Sequence, residues 1–241
     1  ITFAQTSGTA TFTLSTTGVY NFSTQVATTN GTKSAIYCPR GNALINGTGT
    51  MTISGARRAM RIVPAAGETV NFTIETGAIL NLSSSITTTT LIGVIILDNS
   101  VANVSANMTN KGTINISGTG LNGIYINNAA AATTTTNFTN EGTININGAF
   151  TEASSAGAIY LAGGANTFGD VFTNSGTINF NTTSGGTSTK PLFFCSTTPK
   201  SLITNSGTIT VGTNAPTPPA IAFRLGDSKT IVDNSGTITV G

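Results

Sequence analysis

Apolar and polar residues alternate with a period of two along most of this chain. In "GTINI" at 112–116, Ile114 and Ile116 fall on one face of an extended segment, while Thr113 and Asn115 fall on the other. Such alternation marks a half-buried β-strand. It returns in "GTINI" at 142–146, "GTINF" at 176–180 and "GTITV" at 207–211 and 236–240. A second short apolar segment follows each of the first four: "GIYI" (123–126), "AIYL" (158–161), "LFFC" (192–195) and "AIAF" (220–223). A third precedes the motif: "NFTN" (137–140), "VFTN" (171–174) and "LITN" (202–205). Counted from Asn110, Asn140, Asn174, Asn205 and Asn234, the repeats lie 30, 34, 31 and 29 residues apart. A period of this size points to a solenoid, propeller or array. Three short strands per repeat make one coil of a parallel β-helix.

The same grammar runs upstream in looser form. "GTMTI" (49–53) precedes "AMRI" (59–62), "VNFTI" (70–74) precedes "GAILNL" (77–82), "GVIIL" (93–97) follows, and "AIYC" (35–38) opens the series. The pattern predicts an all-β parallel β-helix of about seven coils over residues 35–241. At about 4.8 Å per coil this rod is about 30–35 Å long. Residues 1–34 lack the Asn-x-Gly motif of the repeats, although "TATFTLS" (9–15) alternates. They are expected to form an N-terminal β cap over the open strand edge. The chain stops at Gly241, directly after a motif strand, which predicts that the rod continues in the natural protein.

A solenoid stacks equivalent residues above one another, and this assigns the repeated letters a structural job. Ile114, Ile144, Ile178, Ile209 and Ile238 are expected to form one interior column. Asn110, Asn140, Asn174, Asn205 and Asn234 are expected to form an amide ladder. The motif glycines, Gly112 among them, are expected at a turn that needs positive φ.

Composition narrows the chemistry. Only 7% of residues are charged, the net charge is +2, and His and Trp are absent. The small charge argues against a nucleic-acid partner or a polybasic membrane surface. Without His, the His-based catalytic triads and the common metal sites are unavailable. No apolar run approaches the roughly 20 residues of a spanning helix, so this segment is not expected to insert in a membrane. Hydrolysis on a β-helix needs paired carboxylates about 5–9.5 Å apart. The acids, Glu68, Glu75, Asp98, Glu141, Glu152, Asp170, Asp227 and Asp233, include no adjacent pair; stacking brings Asp227 and Asp233 nearest. No catalytic residue, metal ligand or cofactor site is assigned. Cys38 and Cys195 end second strands five coils apart, too far for a disulfide, and are expected as free buried thiols. Thr runs at 87–90 and 133–136 do not recur on every coil, which argues against ice binding.

The outward face of the second strand offers the candidate binding surface. One residue per coil gives Tyr37, Arg61, Ile95, Tyr125, Tyr160, Phe194 and Ala222, expected as an exposed stripe of aromatic and apolar side chains for sugar or protein contact. Arg57, Arg58 and Arg61 add the densest basic group, suited to a small anion or sulfated glycan.

Tandem "TNxGTIxI" followed by "GIYI" resembles the passenger regions of Gram-negative autotransporter adhesins, over about residues 35–241. The resemblance implies a right-handed, pectin-lyase-like β-helix, secreted and exposed on the outer membrane. It also implies a role in adhesion or virulence rather than catalysis. The expected partner is a host-cell surface protein or glycan, or another copy of the chain. The alternative is a polysaccharide lyase or glycoside hydrolase on the same scaffold.

Overall fold

The computed structural model describes residues 1–23, 34–54, 58–84, 93–99, 103–118, 122–128, 136–148, 157–162, 169–181, 191–195, 201–212, 221–226 and 229–241. These form a right-handed parallel β-solenoid, with no helix among the described residues. Three strands make each coil, and every pairing between coils is parallel. The motif strands build one eight-stranded sheet: Val19–Ser23, Thr50–Ser54, Ile79–Ser84, Thr113–Gly118, Thr143–Ile146, Thr177–Asn181, Thr208–Gly212 and Thr237–Val240. The second and third faces are joined into a single 14-stranded sheet because the long strand Ile36–Gly47 runs across both.

Residues 1–23, the described part of the expected cap, occupy the N-terminal end of the stack, and their strands are built like the rest. Thr2–Leu14 pairs parallel with Ile36–Gly47, and Val19–Ser23 pairs parallel with Thr50–Ser54. The motif sheet therefore has eight rungs, one more than the repeat pattern predicts.

Register follows the letters. Ile114, Ile144, Ile178, Ile209 and Ile238 are successive Cα partners, continued upstream by Leu80 and Met51. On the third face Phe72, Met108, Phe138, Phe172, Ile203 and Val232 stack in the same way. Phe138 lies face to face with Phe172 at 5.2 Å between centroids, and Phe193 with Phe223 at 5.2 Å. No coil can bury its apolar side alone, so the core is one continuous column made by stacking.

The corner between third face and motif sheet carries the amide ladder. Asn110 donates through Nδ2 to Asn140 Oδ1 at 2.8 Å. Asn140, Asn174 and Asn205 each donate to the next Oδ1 at 2.7 Å. The backbone carbonyl of Asn110 meanwhile accepts the amides of Glu141 and Gly142, and the pattern repeats from coil to coil. All but Asn234 are buried. Upstream, Ile74 stands below Asn110, so the ladder begins there and Asn110 Oδ1 has no hydrogen-bond partner.

The motif glycines do not sit at positive φ, which corrects the expectation; among the described residues the glycines at positive φ are Gly8, Gly41, Gly47, Gly67, Gly77 and Gly118. Close approach is the reason instead. A Cβ on Gly142 would lie 2.1 Å from the carbonyl oxygen of Gly112, and one on Gly176 would lie 2.1 Å from that of Gly142. The carbonyl of one coil fills the space a side chain would need in the next. Lys111 forms an ion pair with Glu75 on the preceding coil, at 3.5 Å.

Two predictions follow from this packing. Gly142→Ala should lower unfolding free energy by about 2–4 kcal/mol through backbone overpacking. Gly67→Ala, where φ is +77° and nothing lies within 4 Å, should cost only about 1–2 kcal/mol of backbone strain. Denaturant titration compares them. Asn140→Ala strands a buried donor on Asn110 and a buried acceptor on Asn174, and should cost about 2–5 kcal/mol. Asn234→Ala, at the exposed end, should cost about 1 kcal/mol or less by the same titration.

Candidate functional site

The outward column of the second face reads Tyr37, Arg61, Ile96, Tyr125, Tyr160, Phe194, Arg224. Ile96, not Ile95, is the residue that pairs with Arg61 and Tyr125, and Arg224, not Ala222, is the one that pairs with Phe194. Ile95 belongs to the main core, opposite Met60 and Ile124. The segment "GVIIL" is apolar throughout, so it has no alternation from which to read which side faces out.

The stripe is not an exposed surface. Ile96, Tyr125 and Tyr160 are 3%, 5% and 7% exposed and form a small second core on the outside of the sheet, with Ala162 packed against it. The two tyrosine rings meet edge to face at 5.5 Å. A single strand does not reveal this burial. Tyr37 and Arg61 are half-buried, and the Arg61 guanidinium stands 5.7 Å from the centroid of the Tyr37 ring. Phe194 holds its place in the register; its side chain lies outside the described residues, as do Arg57, Glu152 and Asp227.

Charged groups do gather at this second core. Desolvation raises the Tyr125 hydroxyl well above its ordinary value; Asp98, Tyr160 and Asp170 raise it further, and Arg58 opposes them. Asp98 accepts a hydrogen bond from Asn127 Nδ2 at 2.9 Å. Asp170 is fully buried where the third-face strand begins, in line with Thr136 and Ser201. Among the described residues no group of three or more His, Cys, Asp or Glu is placed to hold a metal ion.

Outward surface lies on the other two faces. On the third face Asn42, Asn71, Asn107 and Asn137 form a ladder, each donating to the one before it at 2.7–2.9 Å. The same column then turns aliphatic: Val171, Leu202 and Ile231, the last 48% exposed. On the motif sheet Thr113, Thr143, Thr177, Thr208 and Thr237 share one outward column. Beside it Asn81, Asn115, Asn145 and Asn179 form a ladder at 2.8 Å. None of these residues is buried. The Thr and Asn among them are the polar positions of the alternation, and the signal for them is the first and third letters of "TINI", which recur beside the isoleucines.

A search of protein-family models finds no match to this chain, and searches of curated proteins and of solved structures find none either.

Cys38 and Cys195 are free, buried and separated by the five coil steps Cys38, Ile62, Leu97, Ile126, Leu161, Cys195. Burial pushes the Cys38 thiol up to about 11 and the Cys195 thiol up to about 12, from an ordinary 9.0. The folded state thus holds both protons where the unfolded chain releases them. Their contribution to stability is complete below about pH 9 and is lost as pH rises towards 11–12. Unfolding free energy measured against pH should fall across that window, and Cys38→Ala/Cys195→Ala should flatten the slope.

Proposed function

We propose that this chain is a non-enzymatic adhesin module, exported and displayed on the surface of a Gram-negative bacterium. It attaches the cell to a host protein or glycan, or to another cell of its kind. The observation that carries the reading is the division of labour in the coil. Inward Ile, Phe and Asn residues are committed to the stack, and the outward columns present long, regular, charge-poor surfaces. The repeat grammar "TNxGTIxI…GIYI" supports the autotransporter passenger class, in which such rods hold binding surfaces away from the cell.

The third face is the contact best suited to a host partner. Its amide ladder offers hydrogen bonds, and Val171, Leu202 and Ile231 add aliphatic area beside it. A flanking apolar strip and a polar ladder together match the apolar-core, polar-rim anatomy of protein and glycan contacts.

The enzyme alternative has one observation in its favour, the approach of Asp98, Asp170 and Arg58 to Tyr125. Release of reducing or unsaturated ends from acidic polysaccharides tests it directly.

Labelled protein should bind cultured epithelial cells saturably. The variant Leu202→Lys/Ile231→Lys, altered only at outward positions, should keep its circular dichroism spectrum and lose about tenfold in affinity. Absence of wild-type binding, or equal binding by the variant, would remove the third face as the adhesive contact.

A further inference from the structure

Asparagine has a reaction of its own that depends on the residue after it. The next backbone nitrogen attacks the side-chain Cγ and closes a five-membered succinimide ring. Glycine in that place favours closure, since no side chain obstructs the approach. Among the described residues, Asn-Gly steps occur at Asn46, Asn122 and Asn147. Asn-Ser steps, the next least obstructed, occur at Asn174, Asn205 and Asn234. The fold holds these similar pairs in very different ways.

Closure needs a side chain able to turn and a backbone able to follow it. Asn122 is 2% exposed, and the Gly123 N–H donates to the Ala158 carbonyl at 2.9 Å. Asn46 lies inside the strand Ile36–Gly47, opposite Thr13. Its neighbour Gly47 packs so tightly that a Cβ there would lie 2.0 Å from the Leu14 carbonyl oxygen. Asn174 and Asn205 are fixed in the inner ladder, and the amides of Ser175 and Ser206 donate to the Asn140 and Asn174 carbonyls at 2.8 Å. Ser235 donates in the same way to Asn205 at 2.9 Å. Asn147 differs. It stands just past the end of the strand Thr143–Ile146, and its side chain is exposed. Its Oδ1 accepts a hydrogen bond from Asn181 Nδ2 at 3.3 Å. That oxygen is the atom on which negative charge develops when Cγ is attacked, so the donor is placed to stabilise the reaction.

We propose that Asn147–Gly148 is a self-modification site, at which the folded protein converts asparagine to aspartate and isoaspartate. The Gly148 nitrogen gives its proton to hydroxide and bonds to Asn147 Cγ. The Cγ–Nδ2 bond breaks, and the amide nitrogen takes a proton and leaves as ammonia. Water then opens the ring. Cleavage of the N–Cγ bond yields aspartate, and cleavage of the bond to the backbone carbonyl yields isoaspartate. No outside enzyme or oxidant is required. Loss of ammonia makes the change one-way. It sets a carboxylate beside a sheet whose eight strands contain no charged residue, and lowers the formal net charge of +2 by one. The rod thus acquires with age a charge that synthesis did not give it, at the border of its most neutral face. This inference stands apart from the adhesin reading and does not need it.

Peptide mapping by mass spectrometry tests it, on the intact folded chain held at mildly alkaline pH and sampled over time. Asn147 should convert at least about tenfold faster than Asn46, Asn122, Asn174 or Asn205, whose reaction waits for local opening of paired strands. In concentrated urea the three Asn-Gly steps should converge on one rate. Isoelectric focusing of the aged wild type should show an added acidic species, and Asn147→Gln, an outward and conservative change, should abolish it. Asn181→Ala should slow the conversion about threefold, and an unchanged rate would remove Asn181 from the site. An Asn147 that stays intact while Asn46 or Asn122 reacts overturns the proposal. So do equal rates at all three Asn-Gly steps in the folded protein, or an N147Q chain that turns acidic as the wild type does.

Discussion

Everything in this fold hangs on the backbone hydrogen bonds between consecutive coils, which hold each residue over its counterpart at about 4.8 Å. That distance decides which side chains the interior accepts. It suits flat rings, and Phe138 lies on Phe172 with only 8° between their planes. It suits primary amides, whose donor and acceptor span one coil step, as the 2.7 Å bonds of the inner ladder show. At the corner it leaves no room for a side chain, and glycine results.

The amide ladders have direction. At the inner corner every Nδ2 donates towards the C-terminal end, and its second contacts to the Gly and Thr carbonyls hold it so. On the outward faces every Nδ2 donates towards the N-terminal end. Each ladder is a chain of aligned dipoles whose members polarise one another. Because inner and outer chains point oppositely, their fields along the rod oppose each other. The result is a long object with strong local order and little net polarity, in keeping with its few charges.

What could be read from the letters was whatever the period writes several times. Ile114, Ile144 and Ile178 occupy one column because they occupy one place in the repeat, and the Asn ladder follows by the same logic. Legibility failed where a single rung had to be read by itself. "GVIIL" has no polar residue to show its outward side, so Ile95 and Ile96 could not be told apart. Tyr125 and Tyr160 sit at outward positions, and local pattern says nothing of their burial. The motif glycines were assigned to turn geometry because a carbonyl arriving from a residue some 30 positions away leaves no mark on the local sequence. The candidate surfaces themselves were present throughout as the Thr and Asn of each strand, overlooked because they are neither aromatic nor charged.

The near-identity of the corner motif has a consequence for inheritance. Each coil recognises only the one before and the one after, and from Asn110 onward those neighbours present the same Asn, Gly, Thr and Ile at the same places. A gene that gained or lost one whole repeat by slippage between similar stretches of DNA would still encode a rod in which every joint is complementary. A gain of one residue inside a strand would turn half its side chains the wrong way. Length is therefore the property this architecture can change most freely over generations, and it is open to selection in steps of one coil.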